Sequence, residues 1–257
     1  MSLQQRWIQV RGHQLYLEVS ETESSPLFVL LHHGLGSVRS WRSQINFLSE
    51  KGFAFWAYDR WGYGKSSDRL SLDPPFFEED VQDLEILLSD VKVPILMVGH
   101  SDGGNIALTY ASRYPDNLLG LIVVAAHIYF EPKMAEGIEQ LLTSYRENDA
   151  FRKGLQSAHE GKPVFERWYE AWTKQGTEWD LRQIFHQITC PVMVVQGSED
   201  EHATVQHAVD CAASLVNGHL RIIEGSNHML PQQASNVFNQ ILIESLKDFQ
   251  KVVKHVQ

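Results

Sequence analysis

The stretch "VPILMVGHSDGGNIALTYASRYP", Val93 to Pro115, decides the fold. An apolar run ends in Gly99-His100-Ser101-Asp102-Gly103-Gly104, and a helical pattern begins at once. This is G-x-S-x-G between a strand and a helix, the context that gives so short a motif chemical meaning. A turn sharp enough to present the Ser101 hydroxyl forces close backbone approach on either side, which β-carbons would block. The start of the helix adds unpaired N–H groups and a positive dipole end where an oxyanion would form. Ser101 therefore reads as an exposed, strained nucleophile rather than an incidental residue of a glycine turn.

On either side of this stretch the chain alternates strands and helices. "RWIQVRGHQLYLEVS" gives two alternating strands about a turn at Gly12, a hairpin. "PLFVLLHHG", Pro26 to Gly34, is a continuous apolar strand. "SWRSQINFLSEKG" has helical spacing with a stop at Gly52, and "GFAFWAYDRWGYGKSS" is a strand running into a glycine-rich loop. "FFEEDVQDLEILLSDVKV" is an amphipathic helix, and "LLGLIVVAA", Leu118 to Ala126, is the strand after the nucleophile helix. Uninterrupted apolar strands alternating with helices imply an α/β fold with a mostly parallel sheet covered on both faces. The rhythm breaks at His127, and residues 127–187 are charged, aromatic and helical in pattern. It resumes with "PVMVVQG", "TVQHAVDCAASLV" and "HLRIIEG", and a last helix is expected from about Gln232 to Lys251. The expected organisation is one core domain, 1–126 with 188–257, carrying a helical lid insertion at 127–187.

A serine hydroxyl is a poor nucleophile until a base takes its proton and an acid orients that base. In this architecture the order is Ser, Asp/Glu, His, each on a loop at a strand's carboxyl end. "RIIEGSNHMLP" supplies His228 after the last strand, and its position selects it among twelve histidines. "MVVQGSED" supplies the acid, with Asp200 preferred over its neighbours Glu199 and Glu201. The expected oxyanion donors are the backbone N–H groups of Asp102 and of Leu35, which follows "LLHHG".

The blocks "LLHHGLGS", "YDRWGYGKSS", "GHSDGGNIAL", "CPVMVVQGSED" and "GSNHMLP" together resemble the α/β-hydrolase family over nearly the whole chain. The resemblance implies Leu35 as an oxyanion donor after His33-Gly34, and Asp200 as the acid three residues beyond Gly197. It implies that the helical insertion is the family's lid. "SDGG" and "CPVMVVQGSEDEHATVQHA" look nearest the valacyclovir hydrolase and biphenyl-hydrolase-like esterase branch. Members often have Pro or Val soon after the acid, whereas here Glu201 and His202 follow it.

Other signals are set aside. "GYGKSS" fails as a phosphate loop because Asp59 stands where G-x-x-x-x-G-K-[ST] needs glycine. His32-His33 lacks partners at ligand spacing, so no metal is expected, and no cofactor. Cys190 and Cys211 form neither a disulfide framework nor a zinc knuckle, and Cys190 reads as a small buried hydrophobe. The formal charge of −10 and the lack of a Lys/Arg cluster argue against nucleic acid. No apolar run reaches the ~20 residues that span a bilayer, and the N-terminus lacks an export pattern. The expectation is a cytoplasmic protein with no membrane partner.

Of the insertion's aromatics, Trp168, Tyr169, Trp172 and Trp179, most are expected to pack lid helices. Lining an apolar pocket is the alternative reading, with Trp168 and Trp172 the candidates. Trp41 and Trp61, near loop ends, are expected to border the pocket. The Asp102 carboxylate is a further candidate substrate contact, for a positively charged group, or else turned away onto nearby loop groups. The expected activity is serine hydrolysis of small carboxylic esters or lactones. The alternatives are C–C bond hydrolysis of vinylogous diketones by the same residues, or a small-molecule receptor with a slow triad.

Overall fold

The computed structural model describes residues 3–22 and 24–256; Met1 and Ser2 of the N-terminal reading, Glu23 and Gln257 lie outside the described residues. Eight strands form one sheet in the order β1-β2-β4-β3-β5-β6-β7-β8. The hairpin β1 (Leu3–Val10) and β2 (His13–Ser20) turns at Arg11-Gly12 and is antiparallel. β2 pairs antiparallel with β4 (Ala54–Asp59). From there the sheet is parallel: β4 with β3 (Leu27–Leu31), β3 with β5 (Ile95–His100), then β6 (Leu118–Val124), β7 (Val192–Gly197) and β8 (Gly218–Ile223).

The period-2 pattern of the strands is spent on two cores. Leu27, Val29, Leu31, Met97, Leu121, Val123 and Val194 face one cluster, together with α2 (Glu78–Leu88), α3 (Asp102–Arg113) and α7 (Val205–Ser214). Phe28, Leu30, Leu96, Val98, Ile122 and Val124 face the other, with α1 (Arg42–Glu50) and α9 (Ser235–Val256). Two buried faces explain why these strands read as unbroken apolar runs. Cys190 and Cys211 are free thiols, both buried.

Two boundaries differ from the sequence reading. The sixth strand stops at Val124 because Ala125 takes a left-handed φ of 50°, which ends the extended run. The last helix is interrupted at Ala234, between the short α8 (Leu230–Gln233) and α9. Between β6 and β7 lie α4 (Pro132–Glu147), α5 (Asp149–Ala158), α6 (Val164–Lys174) and a 3-10 segment, Leu181–Gln187. Trp168, Trp172, Leu181 and Phe185 join the cluster that holds α2, α3 and α7, so the insertion extends that core.

Strand order reverses at β3 and β5. The chain winds outward from β3 to β4, then crosses back to β5, so the loops after β3 and β5 diverge and leave a crevice at their carboxyl ends. That crevice is where the "HHGLGS" loop and Ser101 meet.

Trp41 does not border it. The residue is 1% exposed, stacks on Phe238 of α9 at 6.2 Å and packs in the α1/α9 core. Trp61 is also elsewhere: it stacks on His13 at 4.1 Å, and its Nε1–H donates to the Asp68 carbonyl. Both sit near loop ends, as read, but their rings point into neighbouring packing layers. Trp41→Ala is expected to lower the unfolding free energy by about 3–5 kcal/mol, as for other buried aromatic truncations. Urea denaturation checks this; a loss under about 1 kcal/mol would contradict the core placement.

Candidate active site

Ser101 sits between β5 and α3 with φ 54° and ψ −118°, a positive φ that a β-carbon makes costly. The turn is held from both sides. Ser101 N–H donates to Val124 O at 2.8 Å, and its carbonyl accepts from Gly104 and Asn105. As the first residue of α3, Asp102 has no helical carbonyl for its N–H to reach.

His228 and Asp200 meet from the loops after β8 and β7, with Nδ1 of His228 2.9 Å from Oδ2 of Asp200. Asp200 is 1% exposed. The same carboxylate accepts from Gln196 Nε2 at 2.8 Å and from the His202 and Ala203 N–H groups at 2.8 and 3.2 Å. Burial alone would raise its pKa. The His228 charge and hydrogen bond, helped by these donors, instead hold it well below the usual carboxylate range. The rival acids are placed otherwise. Glu199 is exposed, and Glu201 Oε2 accepts the backbone N–H of His228 at 3.0 Å, away from the ring nitrogens.

With Nδ1 committed to Asp200, Nε2 is the nitrogen His228 has left for a proton acceptor's work. Ser101 and His228 line one cavity of about 230 Å³ with His33 and Leu35. Its far wall is apolar, built from Ile138 and Leu141 of α4, Leu155 of α5, and Trp168 and Trp172 of α6. The two tryptophans thus pack α6 and line the cavity at once, while Tyr169 and Trp179 pack against the same core cluster and are not part of the cavity wall. Leu35 N–H has only a long contact, 3.4 Å, to His33 Nδ1, which leaves it weakly engaged.

The Asp102 side chain is turned away. It is 2% exposed, lies 3.5 Å from the Arg60 guanidinium and is not part of the cavity wall. The substrate contact expected of this carboxylate is therefore corrected. A negative charge facing a developing oxyanion would repel it, and pairing with the buried Arg60 removes that conflict. Burial pushes its pKa up to about 6, with Arg60 opposing and Asp80 adding to the rise.

Sequence reasoning missed the shell of histidines. His127 stacks on His228 at 5.6 Å and 12°, and His202 meets it edge-on at 4.6 Å. His100 donates from Nε2 to the His228 carbonyl at 2.8 Å, which fixes that loop. Asn105 of α3 clasps His127 by both backbone groups, at 2.8 and 3.1 Å. Only His100, inside the G-x-S-x-G motif, carried any local signal. Among the described residues no group of His, Cys, Asp and Glu is arranged to hold a metal ion, and no helix is long and apolar enough to cross a membrane.

Burial works against a charged His228, yet the Asp200 charge and hydrogen bond, then Glu201 and Asp102, leave its pKa raised above the ordinary 6.5. The charged ring is thus favoured until the pH rises past that raised value. An NMR titration is expected to place the His228 ring above 6.5 in the wild type. In Asp200→Asn the value should fall, since burial then dominates; an unchanged midpoint would contradict the coupling.

A family profile described as alpha/beta hydrolase fold matches residues 26–170, more than half of the chain. The human protein named Serine hydrolase BPHL is 26% identical over 251 residues, covering 93% of this chain and 85% of that protein. A Bifunctional esterase/perhydrolase DCH from Acinetobacter calcoaceticus is 23% identical over 262 residues, covering 85% of this chain and 91% of its own. Among solved structures, the enol-lactonase from Burkholderia xenovorans LB400 superposes with a TM-score of 0.73 at 18% identity, covering 96% of this chain and all of that one. With the sheet order, the nucleophile turn and the loop positions already in place, the profile match settles the assignment: this chain belongs to the α/β-hydrolase fold family of enzymes.

Proposed function

We propose that the protein is a serine esterase that cleaves small carboxylic esters or lactones through an acyl-enzyme. The observation that carries the reading is His228, paired with Asp200 at 2.9 Å, lining one mostly apolar cavity with a serine on a strained strand-to-helix turn. Ser101 Oγ attacks the carbonyl while its proton passes to His228 Nε2, and Asp200 orients the ring and stabilises its charge. The Leu35 and Asp102 N–H groups hold the oxyanion. Collapse of the adduct expels the alcohol, which takes the proton from His228. Water then repeats the sequence on the acyl-serine and frees the acid. The insertion acts as a lid, and Trp168 and Trp172 bound the room for the substrate's apolar part. The relatives named a serine hydrolase and an esterase support ester chemistry.

A fluorophosphonate probe is expected to label the wild type at Ser101 and to leave Ser101→Ala unlabelled. The wild type should also give a burst with p-nitrophenyl acetate. Labelling that persists in the alanine variant, or the absence of any burst or turnover, would overturn the reading. Within it, Asp200→Asn should cost ~10⁴ in kcat, as in the serine protease precedent, and far more than Glu199→Gln or Glu201→Gln. A larger loss in either glutamate variant would reassign the acid.

A further inference from the structure

His159, the residue after α5, is fully buried, and its ring is held by two backbone groups outside the insertion. Its Nδ1 lies 2.9 Å from the Gly64 nitrogen, and its Nε2 lies 3.1 Å from the Leu35 carbonyl oxygen. A backbone N–H can only donate, so Nδ1 must accept, and the proton of the neutral ring is at Nε2. The Nε2–H therefore donates to Leu35, and the two contacts fix one tautomer. Lys162, three residues on, donates to the Gly64 carbonyl at 2.7 Å, so the insertion engages both backbone groups of Gly64.

The remaining links close a ring. Asp59, at the end of β4, accepts Lys65 N–H at 2.8 Å and Val38 N–H at 2.7 Å. Val38 and Leu35 belong to the same loop after β3. The turn after α5, the loop after β4 and the loop after β3 are thus one hydrogen-bonded circuit. Its closing member, His159 to Leu35, touches a residue that lines the cavity with Ser101 and that the esterase reading assigns as an oxyanion donor. Burial keeps the His159 ring neutral, with a pKa down to about 4. The Leu35 bond works the other way, and the cations Lys162, Arg167 and Arg39 add to the lowering.

We propose that His159 is a positioning residue for the oxyanion site: by pinning the Leu35 carbonyl from the insertion, it holds the Leu35 backbone so that its N–H serves the reacting carbonyl. The inference deepens the esterase reading and rests on it. Leu35 has a competing partner in His33 Nδ1, at 3.4 Å. Without the pin on its carbonyl side, the segment is free to turn its N–H fully onto His33 and withdraw it from the cavity. The oxyanion site is then complete only while the turn after α5 is seated on the core. Within that circuit, the insertion both roofs the cavity and sets its electrostatics.

Two conservative variants separate the contacts. The amide of His159→Gln reaches the place of Nε2 and retains a donor for Leu35. The amide of His159→Asn reaches the place of Nδ1 and retains only an acceptor for Gly64. Kinetics on p-nitrophenyl acetate should show kcat down ~10-fold or more in Asn with KM changed less than about twofold. That loss stays below the ~10²–10³ seen when a whole oxyanion donor is deleted. The Gln variant should recover much of it. A trifluoromethyl ketone, which forms a charged adduct on the serine, should lose affinity in Asn by the same factor as kcat. Equal kcat in the two variants, or a loss confined to KM, overturns the proposal.

Hydrogen exchange supplies the readout that needs no turnover. In His159→Asn, exchange should rise at residues 33–38 as well as at 159–163; a rise confined to 159–163 overturns the proposal. If the wild type hydrolyses no ester, that result counts against the esterase reading, while the exchange comparison still decides the role of His159. If the Asn variant does not fold, His159→Phe, which keeps the ring against Tyr63, takes its place with the same expected outcomes.

Discussion

The site depends on a contact between two pieces of backbone. A β-carbon on Gly103 would stand 2.2 Å from the Leu31 carbonyl oxygen, and one on Gly99 would stand 2.2 Å from the Gly103 oxygen. Neither distance is survivable, so the start of α3 can sit against the end of β3 only while Gly103 is glycine, and fold back on β5 only while Gly99 is. That approach sets the sharpness of the Ser101 turn. It also brings the N-terminal N–H groups of α3 beside the loop that carries Leu35. The strand order puts β3 and β5 side by side, and the two glycines turn that adjacency into a working distance.

The second determinant is electrostatic selection among many imidazoles. Burial drives His100 down to about 3 and His202 down to about 4, with the His228 charge adding to both. His33 and His127 are lowered in the same way, burial first. His228 is buried no less, yet it is the ring hydrogen-bonded to the Asp200 carboxylate, and its pKa alone within this group moves upward. One carboxylate thus singles out one base from a cluster of similar groups. The neighbours remain neutral and add no positive charge that would compete for Asp200.

What the sequence made legible was local. The strands showed because a sheet buried on both faces leaves continuous apolar runs, and the nucleophile turn showed because its steric demands fall within one short motif. Ring direction was not legible. Trp41 and Trp61 lie where the sequence placed them, at loop ends, but the packing partners Phe238 and His13 come from remote segments. The Asp102 side chain turned toward Arg60, a residue with no sequence pattern linking the two. His127, His202 and His159 gather around the site by tertiary contact, so spacing could not single them out.

The helices of the insertion are unequally anchored. α6 buries Val164, Phe165, Trp168 and Trp172, and its Arg167 ties it to Asp68 at 2.9 Å and to the Gly62 carbonyl at 2.5 Å. α5 buries none of its own residues, and the turn that follows it runs through left-handed Glu160 and Gly161. Raising α6 would therefore uncover the main core, whereas detaching α5 exposes little apolar surface. Local unfolding follows such differences in free energy. Within the insertion α5 is therefore the weakly held helix, while the aromatic wall of α6 is fastened to the core.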